Sequence, residues 1–263
     1  MRENEVKAYC NGKKSGVRVF VVGSYEALSK KAATIVAGAI SSKPTFMLGL
    51  ATGTSPLGLY SNLAQLCDEG RVDFSGVTTY NLDEYYPIDP ENDQSYRYFM
   101  NKNLFHKINI DINKTHVLNG KAPDWEKECS AYDAAIEAAG GIDLQVLGIG
   151  NNGHIGFNEP GDTFIWGTHR VELTESTIEA NSRLFNSKDE VPRAALSMGI
   201  GNIMTAKQIV LVANGAAKAQ AIKGALEGEI TPWCQASILQ LHPNVTFILD
   251  EEAAGALEVY KAV

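Results

Sequence analysis

The sequence predicts an α/β fold in which a mainly parallel sheet is covered by helices on both faces. Short β-rich runs alternate with helical patterns from residue 17 to the C-terminus. The strand runs are continuously apolar, which is typical of parallel strands buried on both faces. We find no internal repeat, low-complexity linker or break in composition. Residues 17–263 are therefore expected to form a single α/β domain.

The first half of the chain supplies three strands and four helices. The three strands are predicted at residues 17–23, 45–51 and 77–82. Apolar residues at helical spacing predict helices at residues 25–41, 56–66, 96–105 and 125–139. Ser24 suits the N-cap of the first helix, because its hydroxyl can accept a hydrogen bond from a backbone N–H of the first turn. Pro56 suits the opening of the second helix, where a missing N–H costs little.

The second half continues the alternation. Strands are predicted at residues 144–149, 208–213 and 245–249, with an extended segment at 169–173. Helices are predicted at residues 177–184, 216–226 and 251–262. Residues 1–16 are expected to be a polar N-terminal tail, with an extra edge strand or an expression remnant as alternatives.

Composition and charge exclude several classes of protein. Of the 263 residues, 44% are hydrophobic and 21% charged, which is typical of a globular chain. The formal net charge of -8 argues against partners such as nucleic acids and acidic membranes. No apolar stretch resembles a signal peptide or a membrane span. Cys10, Cys67, Cys129 and Cys234 form no CxxC pair, which indicates reduced thiols and a cytoplasmic location.

Ligands of open parallel sheets bind at the carboxyl ends of the strands, where three segments are unusual. The first follows the second strand and contains Gly53, Thr54 and Ser55 before Pro56. A glycine, hydroxyls and a helix N-terminus together can hold a phosphate. The same residues are equally consistent with an ordinary capped turn between a strand and a helix.

The second segment carries two adjacent acids, Asp83 and Glu84, after the third strand. A partly buried carboxylate there can serve as a general base, because burial raises its pKa. On the residues alone, a solvated loop acid or a helix cap is the more common use of such a pair.

The third segment, residues 148–160, is a glycine-rich loop. Residues 148–153 match GxGxxG, but Gly156 and Pro160 favour an irregular loop over the helix that a nicotinamide-binding fingerprint opens. We therefore set a dehydrogenase aside. The loop also holds His154 and Glu159, a pairing that suits acid–base chemistry but is more often structural. The five histidines show no metal-ligand spacing, so no metal is expected.

Taken together, these segments resemble the glucosamine-6-phosphate deaminase/isomerase family, over nearly the whole chain from residue 17 to 250. The most specific string is GHIGFNEP at residues 153–160. The other matching stretches are LGLATGTSP at 48–56, NLDEY at 81–85, NSR at 181–183 and LQLHP at 239–243.

The resemblance implies a Rossmann-like fold and the conversion of glucosamine 6-phosphate and water to fructose 6-phosphate and ammonia, with no cofactor. It implies that Asp83 moves a proton from C2 to C1 and that His154 assists ring opening, with Glu159 orienting it and tuning its charge. The phosphate is expected on Gly53, Thr54 and Ser55, with Arg183 and Lys218 as counter-charges; outside the family context, both cations are ordinary surface residues. The implied partner is a small sugar phosphate, and a homo-oligomer is left open.

Two departures from the family pattern carry expectations. Asn152 stands where the family often has an aspartate, so a carboxylate coupling to His154 is lost and the pH profile is expected to change. The region of a known effector site reads Gly161, Asp162 and Thr163, with Val171 further on. An acid and an apolar residue bind phosphate poorly, so little or no activation by N-acetylglucosamine 6-phosphate is expected.

Two alternatives remain at the level of sequence. One is a 6-phosphogluconolactonase, which shares the fold and a histidine in a comparable loop; the NLDEY segment and the NEP ending favour the deaminase. The other is a non-catalytic sugar-phosphate-sensing domain of a regulator. Only sixteen residues precede the first strand, too few for a helix-turn-helix. Residues 163–168 are also considered as a mobile cover over the site.

Overall fold

The computed structural model describes residues 4–10, 13–182, 185, 187 and 190–258, and its largest element is a sheet of eight strands. These strands are β1 (Asn4–Cys10), β2 (Lys13–Val22), β3 (Phe46–Leu50), β4 (Val77–Asn81), β6 (Thr115–His116), β7 (Leu144–Leu147), β10 (Ile209–Ala213) and β11 (Val245–Asp250). Their order across the sheet is β1-β2-β11-β10-β7-β3-β4-β6. Every pairing from β2 to β6 is parallel, and β1 is antiparallel to β2. The predicted mainly parallel sheet is confirmed.

Helices cover both faces of this sheet, as predicted. The helices are α1 (Tyr25–Ile40), α2 (Leu57–Asp68), α3 (Tyr96–Asn103), α4 (Trp125–Ala138), α5 (Glu175–Ser182), α6 (Ile200–Met204) and α7 (Ala219–Glu227). Short 3-10 turns lie at Phe105–Lys107, Ile112–Lys114, Ala216–Lys218 and Gln235–Leu241. Helices α1, α2 and α3 pack on one face, and α4, α6 and α7 on the other. Ser24 caps α1 as expected, accepting a hydrogen bond from the Ala27 amide at 3.1 Å.

The strands between these layers are apolar on both sides, which explains their continuous hydrophobic runs. In β10, Val210 and Val212 join the core under α1 and α2. The alternate residues Ile209 and Leu211 join the core under α4, α6 and α7. All four side chains are fully buried, so each residue of the strand is held by apolar contacts with one helical layer or the other.

A second, smaller sheet of three antiparallel strands was not predicted. It contains β5 (Asp83–Tyr86), β9 (Ala194–Ser197) and β8 (His169–Glu172), with β9 in the middle. Its own apolar cluster includes Tyr85, Phe157 and Ile178. The chain therefore leaves the large sheet after β4 and enters the small one two residues later, at Asp83.

The structure corrects two expectations at the ends of the chain. Asn4–Cys10 forms the edge strand β1, which was the alternative to the expected polar tail, and β2 begins at Lys13 instead of residue 17. Residues 251–256, expected to be helical, form turns. The Asp250 carboxylate accepts a hydrogen bond from the Ala253 amide at 2.8 Å. The Gly255 amide then donates to the carbonyl of Glu252, three residues earlier in the chain. Residues 259–262 of that predicted helix lie outside the described residues.

Two further observations concern targeting and thiols. None of the described helices combines the length and the apolarity needed to cross a membrane. The thiols of Cys67, Cys129 and Cys234 are free.

Candidate active site

The sheet order brings the predicted segments together at one end of the sheet, beyond the carboxyl ends of the strands. Strands β10, β7, β3 and β4 are consecutive neighbours and parallel. Their carboxyl ends therefore lie side by side, and each is followed by a segment that carries polar residues. The loop after β7 holds the predicted histidine, and it lies between the loops that follow β10 and β3.

Asp83 is buried at the point where the chain passes between the two sheets. The preceding residue, Leu82, donates to Leu50 O at 3.0 Å and accepts from the Met198 amide at 2.6 Å. Asp83 itself is 6% exposed, and its Oδ1 atom has no hydrogen-bond partner in the described structure. Burial, followed by the charge of Glu84, raises the pKa of Asp83 from 3.8 to about 8.

Glu84, the other acid of this pair, anchors a helix. Its carboxylate accepts hydrogen bonds from the backbone amides of Tyr96 and Arg97, at 2.8 and 3.0 Å, where α3 begins. It also accepts from the Ser95 hydroxyl at 3.1 Å and from the Tyr85 amide at 2.9 Å. These four donors occupy both carboxylate oxygens of Glu84. Of the two acids, only Asp83 keeps an oxygen free to accept a hydrogen bond.

His154, Glu159 and Asn152 form a connected group in the glycine-rich loop. His154 Nδ1 lies 3.5 Å from Glu159 Oε1. Asn152 donates from Nδ2 to Glu159 Oε2 at 2.8 Å, and its Oδ1 accepts from the His154 amide at 3.2 Å. A side chain at Gly150 is excluded, because a Cβ there would lie 2.3 Å from the imidazole. The loop does not open a helix, in agreement with the prediction against a dinucleotide fingerprint.

The same loop passes directly against Asp83. Gly156 has a φ of +60°, and a Cβ built there would lie 3.6 Å from Asp83 Oδ2 and 3.1 Å from Ser197 Oγ. Ser197 is opposite Asp83 in the β5–β9 pair, and its hydroxyl accepts from the Phe157 amide at 3.0 Å. The small sheet therefore fixes Asp83 relative to the loop that carries His154.

The predicted phosphate loop lies beside this loop. Gly53 and Thr54 are exposed, and Ser55 Oγ donates to Asn214 Oδ1 at 2.7 Å. Asn214 follows β10, so this bond links the loops after β3 and β10 past the end of β7. The Tyr25 hydroxyl also holds the turn by donating a hydrogen bond to Thr54 O at 2.9 Å.

Of the two predicted counter-charges, only Lys218 lies among the described residues. Lys218 ends the 3-10 turn Ala216–Lys218, four residues after Asn214, and is half-buried. Burial lowers the pKa of Lys218, and no ion pair of this lysine is seen in the described part of the chain. Arg183 lies outside the described residues.

Sequence reasoning missed Gln235, which holds the end of the loop that carries His154. Its buried amide donates to the carbonyls of Glu159, Thr163 and Pro232, at 3.1, 3.2 and 2.9 Å. A lone glutamine in an apolar stretch gives no sequence signal for this role. Asn214, which connects two strand ends through Ser55, was missed for the same reason.

The segment considered as a mobile cover is anchored. The carbonyl of Ile165 accepts from the Ile200 amide at 2.8 Å, and that of Trp166 accepts from the Gly201 amide at 2.9 Å. Thr168 donates from its amide to Asp133 Oδ2 at 2.9 Å. These bonds, together with the one from Gln235 to Thr163, tie residues 163–168 to neighbouring segments, and movement of this segment on ligand binding stays a prediction.

The LQLHP stretch has a structural role and lies near the amino ends of the strands, at the opposite end of the sheet from the candidate site. His242 is buried, its Nε2 lies 2.7 Å from Ala206 O, and its Nδ1 accepts from the Asn244 amide at 3.1 Å. Ala206 and Asn244 precede the amino ends of β10 and β11. Within the described ranges, no group of three or more His, Cys, Asp or Glu side chains is arranged to hold a metal ion.

Comparison with known proteins places this geometry in a family. Residues 23–246 match the model of the glucosamine-6-phosphate isomerases/6-phosphogluconolactonase family. The chain is 54% identical over 241 residues to a glucosamine-6-phosphate deaminase of Clostridioides difficile, covering 92% of this chain and 97% of that protein. It is 54% identical over 239 residues to the Alkaliphilus oremlandii deaminase, covering 91% and 99%.

Solved structures give the same grouping. A monomeric glucosamine-6-phosphate deaminase superposes with a TM-score of 0.88 at 44% identity, covering 90% of this chain and 99% of that one. A 6-phosphogluconolactonase from Trypanosoma cruzi superposes with a TM-score of 0.71 at 19% identity, covering 91% and 96%. At that identity the second likeness concerns the fold alone.

Proposed function

The chain belongs to the glucosamine-6-phosphate isomerase/6-phosphogluconolactonase family, and we propose that it acts as a glucosamine-6-phosphate deaminase through Asp83 and His154. The overall reaction converts glucosamine 6-phosphate and water to fructose 6-phosphate and ammonia. One observation carries the residue roles. A single loop holds the imidazole–carboxylate pair of His154 and Glu159 and also passes the buried Asp83 carboxyl at Gly156.

His154 acts first, on the pyranose ring. Opening the ring requires removal of the proton from the C1 hydroxyl and delivery of a proton to the ring oxygen. The imidazole can serve both steps, and Glu159 at 3.5 Å from Nδ1 fixes its orientation. Asn152 holds Glu159 through its amide nitrogen and holds the loop backbone at His154 through its oxygen. Asn152 is thus a neutral bridge in place of a second carboxylate.

Asp83 acts second, on the open-chain sugar. A base must take the proton from C2 and return one to C1, which converts the amino aldose to an enolamine and then to the imine of the ketose. Water then adds to C2, and ammonia leaves. A carboxyl with a pKa of about 8 holds a proton firmly enough to accept it from carbon and to return it.

The phosphate would be anchored on the turn at Gly53, Thr54 and Ser55, with Lys218 and Arg183 as counter-charges. The turn precedes the N-terminus of α2, where the helix dipole favours an anion. Ser55 is held by Asn214, on the segment that leads to Lys218. The turn follows β3 and Lys218 follows β10, so these groups stand on either side of the loop of His154, which follows β7.

The deciding assay is ammonia release from glucosamine 6-phosphate with chelator present and without added nucleotide. Release with stoichiometric fructose 6-phosphate supports the proposal, and hydrolysis of 6-phosphogluconolactone instead would overturn it. Asp83→Asn should reduce turnover by about 1,000-fold or more, because the base is lost while the shape of the side chain is kept. His242→Asn is a control outside the site, because this side chain lies near the amino ends of the strands. If this variant folds, its KM should equal that of the wild type.

A further inference from the structure

Asp83 is a buried acid without a positive partner among the described residues. Its carboxyl is 6% exposed, and Oδ1 has no hydrogen-bond partner in that part of the chain. The ionisable groups that interact electrostatically with it include one acid and four phenols: Glu84, Tyr60, Tyr85, Tyr96 and Tyr132. An ionised carboxylate in such surroundings is costly unless something supplies an opposite charge.

The same protein treats another buried acid differently. Asp143 lies 2.5 Å from Lys43 Nζ and 2.8 Å from Lys207 Nζ, and it also accepts from the Met47 amide at 2.8 Å. The fold can therefore supply two cations and a backbone donor to a buried carboxylate. Their absence around Asp83 in the described residues is a property of the site.

Two polar side chains of the protein near Asp83, Ser197 and Asn158, already bond to other groups. Ser197 Oγ accepts from the Phe157 amide and lies 3.3 Å from Met198 O. Asn158 Nδ2 donates to Ile155 O and Met198 O, at 2.8 and 2.9 Å. A Cβ at Gly156 would lie 3.6 Å from Asp83 Oδ2, so the glycine puts no side chain against this carboxyl. A ligand can therefore supply the donor that Asp83 Oδ1 lacks.

We infer that the Asp83 carboxylate pairs with the ammonium group on C2 of the substrate and thereby selects amino sugar phosphates over their hydroxyl counterparts. This inference rests on the proposed function, which places C2 beside Asp83. A primary ammonium is the donor that compensates a buried carboxylate most strongly. Because nitrogen is attached to C2, the pairing also holds the carboxylate next to the hydrogen that it removes.

Formation of the pair accounts for every proton. A substrate that arrives as an ammonium ion pairs directly with the ionised carboxylate, and where the carboxyl still holds its proton, that proton is released to solvent. A substrate that arrives as a free amine takes the proton from the carboxyl oxygen of Asp83 onto nitrogen. Both routes end in a carboxylate and an ammonium, so binding of an amino substrate leaves Asp83 in the basic form. A sugar phosphate with a hydroxyl on C2 accomplishes neither.

The test uses two unreactive open-chain ligands that differ at one position: 2-amino-2-deoxyglucitol 6-phosphate and glucitol 6-phosphate. Their affinities are measured by calorimetry at pH 7 for the wild-type chain, Asp83→Asn and Ser55→Ala. Wild type should prefer the amino ligand by about tenfold or more, as expected for a desolvated charge pair. Asp83→Asn should reduce that preference to about twofold or less, mainly through weaker binding of the amino ligand. Ser55→Ala should weaken both ligands equally and keep the preference.

The outcomes separate this inference from the function that it rests on. Equal affinity of the two ligands for wild type, or a preference that persists in Asp83→Asn, would overturn the ammonium pairing while leaving a sugar-phosphate site. Failure of both ligands to bind wild type would instead remove the proposed function. Asp83→Asn keeps the side-chain shape, and circular dichroism establishes that it is folded before the titrations.

Discussion

Replacing Asp83 by asparagine should stabilise the folded protein while it removes turnover. Burial and the neighbouring Glu84 raise the pKa of Asp83 from 3.8 to about 8. Between those two pH values the folded chain keeps a proton that the unfolded chain releases. The stability of the wild type therefore falls as pH rises through this window, whereas asparagine does not titrate.

The size of the effect follows from the width of the window. Each pH unit between the unfolded and folded pKa values of this one group is worth about 1.4 kcal/mol. The variant should therefore gain about 4 kcal/mol over the wild type at pH 7, and on the order of 5 kcal/mol above pH 8. Below pH 4 the carboxyl is protonated in both states, and the gain should vanish.

Urea unfolding at pH 4, 5.5, 7 and 8.5, followed by far-UV circular dichroism, measures this difference directly. Asp143→Asn is the control with the opposite sign. Burial acts to raise the pKa of Asp143, but hydrogen bonds from Lys207 and Lys43 outweigh it and hold that pKa below its ordinary value. Asp143→Asn should therefore destabilise at neutral pH, and the loss should fade in acid. A gain for Asp83→Asn that is the same at every pH would refute the argument.

Four further predictions concern activity. Gln235→Leu removes the donor to the Glu159 carbonyl and should lower kcat by about tenfold to a hundredfold with little change in KM, measured by steady-state kinetics. Lys218→Met should raise KM for glucosamine 6-phosphate by about tenfold, with kcat retained. Asn152→Asp places a second carboxylate 2.8 Å from Glu159 Oε2; activity should persist at acidic pH, where the pair shares a proton, and fall at alkaline pH, as read from a pH–rate profile. For the unaltered enzyme, N-acetylglucosamine 6-phosphate should leave the substrate saturation curve unchanged, and sigmoidal kinetics relieved by it would contradict the effector prediction.

The strand-end rule found the site, but it did not rank the two acids within it. Both Asp83 and Glu84 follow an apolar strand, and the residues alone made a loop acid or a helix cap the more common use. The helix-cap alternative is confirmed for Glu84, which holds the start of α3. Asp83 keeps a free acceptor, and its role as a general base stays a prediction. That division depends on which side of β5 each residue faces, and the strand β5 itself was not predicted.

The missed elements share a cause. Strand β9 contains four small or apolar residues, and its partners β5 and β8 lie far away in sequence. Its apolar run is too short to separate from a loop without those partners. Strand β1 is likewise defined by its pairing with β2. The long elements, such as α1 and β10, have their own periodicity and were placed within about two residues of their bounds.

The small sheet explains why the proposed base has such unusual surroundings. Leu82 bonds to both Leu50 and Met198, so the chain is pinned to both sheets one residue before Asp83. This arrangement buries the carboxyl among phenols and away from the lysines that serve Asp143. The result is a group that destabilises the protein above pH 4 and that a cationic ligand would relieve. At this one side chain, a change that raises the stability of the fold is therefore expected to remove activity. The unfolding and turnover measurements on Asp83→Asn test the two parts of this relation.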